Sequence, residues 1–219
     1  MIFMRQQGSK KEDKVKKLFL SSSFTDVIKL FVNFANEDFD GKTITFIPTA
    51  SIPEKVVFHV EAGKKALEKL GLVVDELEIS TAAPEEITHK LQRNDYIYIS
   101  GGNTFFLLQE LKRTGADKII VDQINQGKLY IGESAGSMIL SPNIEYGKDM
   151  DDTDKAPDLN SFAALNLLDF YPLPHHTNFP FKEAVAKIIA KYETELNLYP
   201  ISNSQAILIE GTNIKIETK

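Results

Sequence analysis

Short apolar runs recur along the chain at Leu18-Phe19-Leu20, Thr43–Ile47, 72–79, Tyr96–Ile99 and Leu129-Tyr130-Ile131. Segments with helical signals separate them, at 26–35, 54–70, 84–91, 104–113 and 116–125. The segment 54–70 is the clearest: Pro53 opens it, Val56, Val60, Leu67 and Leu70 share one face with the small Gly63 between them, and Gly71 stops it. Strands that are apolar on both faces and alternate with helices predict a mostly parallel sheet covered on both sides, an α/β fold. The remainder is less regular. A short strand is expected at Asp169-Phe170-Tyr171, a helix over 181–196, and a terminal hairpin from 206–210 and 214–217 turning at Thr212-Asn213 after Gly211.

No repeat, low-complexity stretch or linker divides the chain, so residues 18–219 are expected to form one domain. A chain of 219 residues with 42% hydrophobic content buries about 70% of its unfolded surface without staples. Residues 1–17 stand apart: Arg5, Lys10, Lys11, Lys14, Lys16 and Lys17 make a basic leader, expected to be disordered, and Met1 to Met4 is too short for a signal-peptide core. The absence of cysteine excludes a disulfide framework, Cys-ligated zinc, an iron–sulfur site and a cysteine nucleophile, and fits a reducing cytoplasm. A net charge of −6 argues against a general nucleic-acid binder, and no apolar run is long enough to span a membrane.

In a sheet of this kind the ligand crevice lies beyond the carboxyl ends of the strands, and two features fall there. Gly132-Glu133-Ser134-Ala135-Gly136 follows the run 129–131 and precedes a stretch compatible with helix, the context a nucleophile elbow requires. The small residues 132 and 136 permit a tight turn presenting Ser134 Oγ. The Ala135 N–H is an oxyanion donor at a helix start, which favours developing negative charge. Ser100-Gly101-Gly102-Asn103-Thr104 follows Tyr96–Ile99. It lacks the lysine of a phosphate loop and the third glycine of a dinucleotide fingerprint. A second oxyanion donor or an ordinary strand-to-helix turn are the readings that remain.

A serine nucleophile needs a base near neutrality, and the chain has His59, His89, His175 and His176. His59 and His89 fall inside expected helices, where packing or solvent-facing roles prevail. His175 and His176 lie in a loop after Pro174, and one of them is the expected base. The pair lacks a carboxylate–histidine pattern with metal-ligand spacing. The orienting carboxylate is undetermined among Asp149, Asp151, Asp152 and Asp154.

These pieces resemble the peptidase E family of serine peptidases, the aspartyl dipeptidases, which is related to cyanophycinase. Gly101-Gly102-Asn103-Thr104-Phe105, the 129–136 segment and Pro174-His175 carry the resemblance in order and spacing, from about Leu18 to the C-terminus. The resemblance implies a doubly wound, flavodoxin-like three-layer fold similar to class I glutamine amidotransferases. It implies Ser134 as nucleophile, His175 as base, Gly102 and Ala135 as oxyanion donors, and Asp149, fifteen residues after the serine, as third member. It further implies hydrolysis of dipeptides with N-terminal aspartate without metal or organic cofactor, a small peptide substrate as partner, and a homodimer. His176 is the alternative base. Asn203 stands where many relatives place a glutamate; an asparagine orients a histidine without stabilising imidazolium as a charge does. Arg93, Arg113 and several lysines are candidate cations for an acidic substrate. An esterase or amidase on the same fold, and a non-catalytic binding homologue, are the alternative functions.

Overall fold

The computed structural model describes residues 15–219. The basic leader expected over 1–17 therefore lies outside the described residues except for its last three, and Lys17 is already the first residue of a strand.

The N-terminal part alternates strand and helix as β1 Lys17–Ser21, α1 Ile28–Ala35, β2 Thr43–Ile47, α2 Phe58–Lys69, β3 Val73–Glu76, α3 Pro84–Arg93, β4 Tyr96–Ile99, α4 Thr104–Thr114, α5 Ala116–Asn125, β5 Leu129–Glu133 and α6 Ala135–Met138. β6 Tyr171–Leu173, α7 Lys182–Tyr192, β7 Leu198–Pro200, β8 Gln205–Glu210 and β9 Asn213–Thr218 complete it. The main sheet has seven strands in the order β3-β2-β4-β5-β1-β8-β9. The first five run parallel, and β8 and β9 are added antiparallel as the expected hairpin. β6 and β7 form a separate parallel pair.

The chain moves outward from β1 to β2 and β3, then returns through β4 to β5 beside β1. Right-handed crossovers in opposite directions must place their helices on opposite faces. One buried cluster accordingly joins β-strand residues such as Phe19, Tyr98 and Ile131 to α1 and α2. The other joins Leu18, Ile97, Tyr130 and Ile207 to α3, α4 and α5. Strand residues alternate between the two clusters with the period of two that a pleated strand imposes. This is a mostly parallel α/β sheet between two helical layers, as expected.

Several boundaries differ from the sequence expectation. The strand expected at Asp169-Phe170-Tyr171 is Tyr171–Leu173, the helix expected over 181–196 ends at Tyr192, and the hairpin turns at Gly211-Thr212 because Asn213 already pairs with Glu210. The helix expected from residue 54 begins at Phe58, because Pro48–Glu54 folds instead into successive turns, with Ser51 N–H on Pro48 O and Glu54 N–H on Ser51 O. These turns leave the Ala50 carbonyl free to accept the Asn103 N–H at 2.7 Å, which ties the end of β2 to the end of β4. The strand expected over 72–79 keeps ladder geometry only over Val73–Glu76. It is the sheet's edge, and beyond it Leu77 and Ile79 turn into the core.

Candidate active site

The crevice forms where β1, β2, β4 and β5 end side by side. At the end of β5, Ser134 occupies φ 50°, ψ −108°, a strained conformation for a residue with a side chain. The turn closes so tightly that a Cβ on Gly132 would stand 2.5 Å from the Gly136 carbonyl oxygen, and one on Gly136 would stand 2.2 Å from that of Ile99. Only glycine fits either place. The strain is held by the Ser134 N–H on Ser21 O at 2.9 Å, and by Ser137 Oγ, which lies 2.9 Å from both Ser21 O and Gly132 O. Glu133 anchors the elbow from beneath: it is buried, accepts the Phe24 N–H at 2.8 Å and accepts the Tyr98 hydroxyl at 2.7 Å. Burial pushes its carboxyl above the ordinary range, against those two hydrogen bonds. Tyr98 reaches it by passing under α2, where a Cβ on Gly63 would come within 2.9 Å of the hydroxyl.

Ser134 Oγ lies 2.8 Å from His175 Nε2, and His175 Nδ1 lies 3.0 Å from Asn203 Oδ1. An amide oxygen only accepts, so Nδ1 carries the proton and Nε2 is left with the lone pair that faces the serine hydroxyl. His175 adopts φ 65°, fixed by its N–H on Ser22 Oγ at 2.9 Å and by the ring of Phe181 stacked on it at 4.7 Å. Burial holds its pKa below the ordinary histidine value; the Asn203 hydrogen bond opposes this, and positive charge on His59 adds to it.

Of the two adjacent histidines, only His175 faces Ser134. His176 donates its N–H to Ile201 O, and its ring makes no hydrogen bond among the described residues. Asp149 is not brought to His175: it is exposed at the end of a 3-10 turn, with Lys191 of α7 as its charged neighbour. The place expected for it is taken by Asn203. Asp151 has a different task. Its carboxylate accepts the Thr104 N–H at 2.9 Å and the Thr104 hydroxyl at 2.5 Å, capping α4, and burial pushes its pKa up to about 6. Asn103 also caps α4 by accepting the Phe106 N–H, and donates to Asp152 O.

Those caps fix the loop carrying Gly102, whose φ of 141° only glycine adopts readily and where a Cβ would stand 2.2 Å from Ala50 O. Neither the Gly102 N–H nor the Ala135 N–H has an acceptor among the described residues. α6 is only four residues long, so its contribution to an anion is these local N–H groups rather than the helix dipole expected from the sequence.

A residue that sequence reasoning passed over also stands here. His59 Nε2 lies 3.2 Å from Gly101 O, and Gly101 packs against Ser134. The signal was hidden by the helix start: with α2 beginning at Phe58, His59 falls in its first turn, at the carboxyl edge of the sheet. His89 is exposed on α3. Among the described residues no group of three metal-ligating side chains is assembled, and no helix is long and apolar enough to cross a membrane.

The elbow, the paired glycines and the histidine loop thus meet in space. The profile of Peptidase family S51 matches residues 18–217. The chain belongs to family S51. It is 60% identical over 200 residues to an uncharacterized peptidase of Listeria monocytogenes, covering 91% of this chain and 97% of that one. A Nostoc protein named peptidase E is 28% identical over 214 residues, covering 92% of this chain and 83% of its own length. A crystal structure of a Listeria monocytogenes protein assigned provisionally as peptidase E superposes with a TM-score of 0.90 at 58% identity, covering 94% and 99% of the two chains. Membership of S51 makes the chain a peptidase, and so a hydrolase, and bears out the resemblance to peptidase E.

Proposed function

We propose that the chain is a serine peptidase that hydrolyses short peptides, dipeptides with N-terminal aspartate in particular, through an acyl-enzyme. Ser134 Oγ attacks the scissile carbonyl as His175 Nε2 takes its proton. The oxyanion is held by the N–H groups of Gly102 and Ala135. His175 then protonates the leaving amine, and a water activated by the same nitrogen releases the acyl group. Asn203 holds the required tautomer, and because it is neutral the imidazolium is less stabilised than beside a carboxylate.

One observation carries the reading: a serine on a strained elbow hydrogen-bonded to a histidine whose far nitrogen is fixed. The peptidase E names of relatives support a peptide substrate, and the absence of cysteine fits action in a reducing cytoplasm. The test is labelling of the folded protein with a fluorophosphonate, together with hydrolysis of Asp-Ala. Stoichiometric modification at Ser134, and loss of both signals in Ser134→Ala, are expected. Hydrolysis that survives Ser134→Ala would overturn the assignment.

A further inference from the structure

The proposed chemistry leaves one polar ring at the crevice without a task. His59 projects from the first turn of α2, and its Nε2 faces Gly101 O at 3.2 Å. A carbonyl only accepts, so Nε2 carries a proton and Nδ1 is the ring's remaining polar atom. Nδ1 has no partner among the described residues. The ring and Ser134 flank the same backbone position: a Cβ on Gly101 would lie 3.6 Å from the ring's Nε2 and 3.1 Å from Ser134 Cβ.

One further observation narrows what an acidic substrate would meet there. The arginines among the described residues are committed elsewhere. Arg113, in the last turn of α4, pairs with Glu110 and donates to Ser80 O. Arg93 closes α3. α3 leads into the start of β4, which puts Arg93 at the end of the sheet opposite the crevice, and Arg113 is held in its pairing with Glu110. An acidic substrate at Ser134 meets His59 rather than either arginine.

We infer that His59 is the specificity-determining residue of this site: seated with Nε2–H on Gly101 O beside Ser134, it binds a substrate carboxylate through Nδ1–H, taking up a proton as the carboxylate arrives. The inference deepens the proposed function and rests on Ser134 being the group that attacks. The carboxylate has two sources in a dipeptide, the acidic side chain of its first residue and its C-terminus, and His59 serves whichever one binds at Nδ1.

The test is a binding comparison in the Ser134→Ala protein, by calorimetry, with Asp-Ala, Asn-Ala and Asp-Ala amide. Removing the recognised carboxylate is expected to weaken binding at least tenfold. Loss with Asn-Ala identifies the side chain as the source, and loss with Asp-Ala amide identifies the terminus. Adding His59→Gln, which keeps a donor for Gly101 O, should bring the three ligands within about twofold of one another while Tm holds. A purely structural His59 would be rescued by that glutamine, with discrimination unchanged, and this would overturn the inference. So would equal binding of all three ligands, or no binding, in the His59 parent. Hydrolysis by the wild-type protein is a separate readout: its absence would remove the peptidase mechanism, while the binding comparison would still decide the role of His59.

Discussion

In the proposed mechanism Asn203 fixes the tautomer of His175, and burial sets the pH range in which that ring can act as base. Catalysis of the kind proposed requires His175 unprotonated, so kcat/KM falls as pH drops through the His175 pKa. Burial holds that pKa below 6.5, which places the acid limb of the pH profile below the ordinary histidine midpoint. Asn203→Asp would put a carboxylate against Nδ1, raise the His175 pKa and move the acid limb to higher pH. It would also stabilise the imidazolium formed during attack and raise the plateau rate. Asn203→Ala would free the ring and its tautomer, and a loss on the order of 10²-fold in kcat is expected, within the range general-base catalysis supplies. Profiles of kcat/KM for the three proteins check both statements, and an acid limb that stays put in Asn203→Asp would count against the contact. Phe181, stacked on the same ring, belongs to the same device. Its replacement by leucine should lower kcat by less than Asn203→Ala does, since the hydrogen bond to Asn203 remains.

The elbow and the α4 cap are the elements that place the Gly102 and Ala135 N–H groups, the donors of the proposed mechanism. Gly132→Ala or Gly136→Ala drives a methyl into backbone carbonyls at 2.5 and 2.2 Å. Overpacking of this kind costs about 1–3 kcal/mol, and with rigid backbone as the obstacle the upper end is expected, a fall in Tm of about 6 °C or more by thermal unfolding. Labelling at Ser134 should be lost in the surviving folded fraction. The cap gives a pH signature. Asp151 has a folded-state pKa raised from 3.8 to about 6, so the folded protein binds its proton more readily than the unfolded chain. Its contribution is most favourable below pH 4 and is lost as pH rises through about 6. The Tm of wild type relative to Asp151→Asn should therefore rise as pH falls from 7 to 4; a constant difference would refute the shift. These elements also mark how much the sequence disclosed. The elbow was legible because strand, Gly-x-Ser-x-Gly and helix are contiguous, and the loop at Gly101-Gly102 because two glycines at a strand end have few structural uses. The places of Asp149 and His59 relative to the crevice were not legible, for one physical reason. Their positions depend on turns that tertiary contacts decide: the run of turns at 48–54 delays α2, and the cap by Asp151 leaves Asp149 outside the crevice.

The whole molecule brings together groups that the chain keeps far apart: Ser134 follows β5, Gly102 follows β4, and His175 and Asn203 follow β6 and β7. The first two stand on the main sheet, between clusters buried on both faces. The histidine and its partner stand on the two-stranded β6–β7 pair. α7 and one side of that pair are supported by a smaller cluster in which Met138, Tyr146, Leu173, Val185 and Ile188 are buried, while Tyr199 and the flanking Phe170 and Ile201 pack on the main cluster. Segments with few buried apolar contacts open at lower free energy than the core. The histidine platform should therefore release before the sheet melts. In a urea series, fluorophosphonate labelling of Ser134 is expected to disappear at a lower concentration than the far-UV circular dichroism signal. Amides of α7 should exchange with solvent faster than those of β4 and β5 under native conditions. Two exposed aromatics, Phe58 at 76% and Phe179 at 93% exposure, belong to the segments carrying His59 and His175 and add little buried area to either. If labelling and circular dichroism instead fall together and α7 exchanges only through global unfolding, the platform is part of the main cooperative unit. The small cluster, joined to the main one through Phe170, Tyr199 and Ile201, would then hold His175 in register with Ser134 on another sheet.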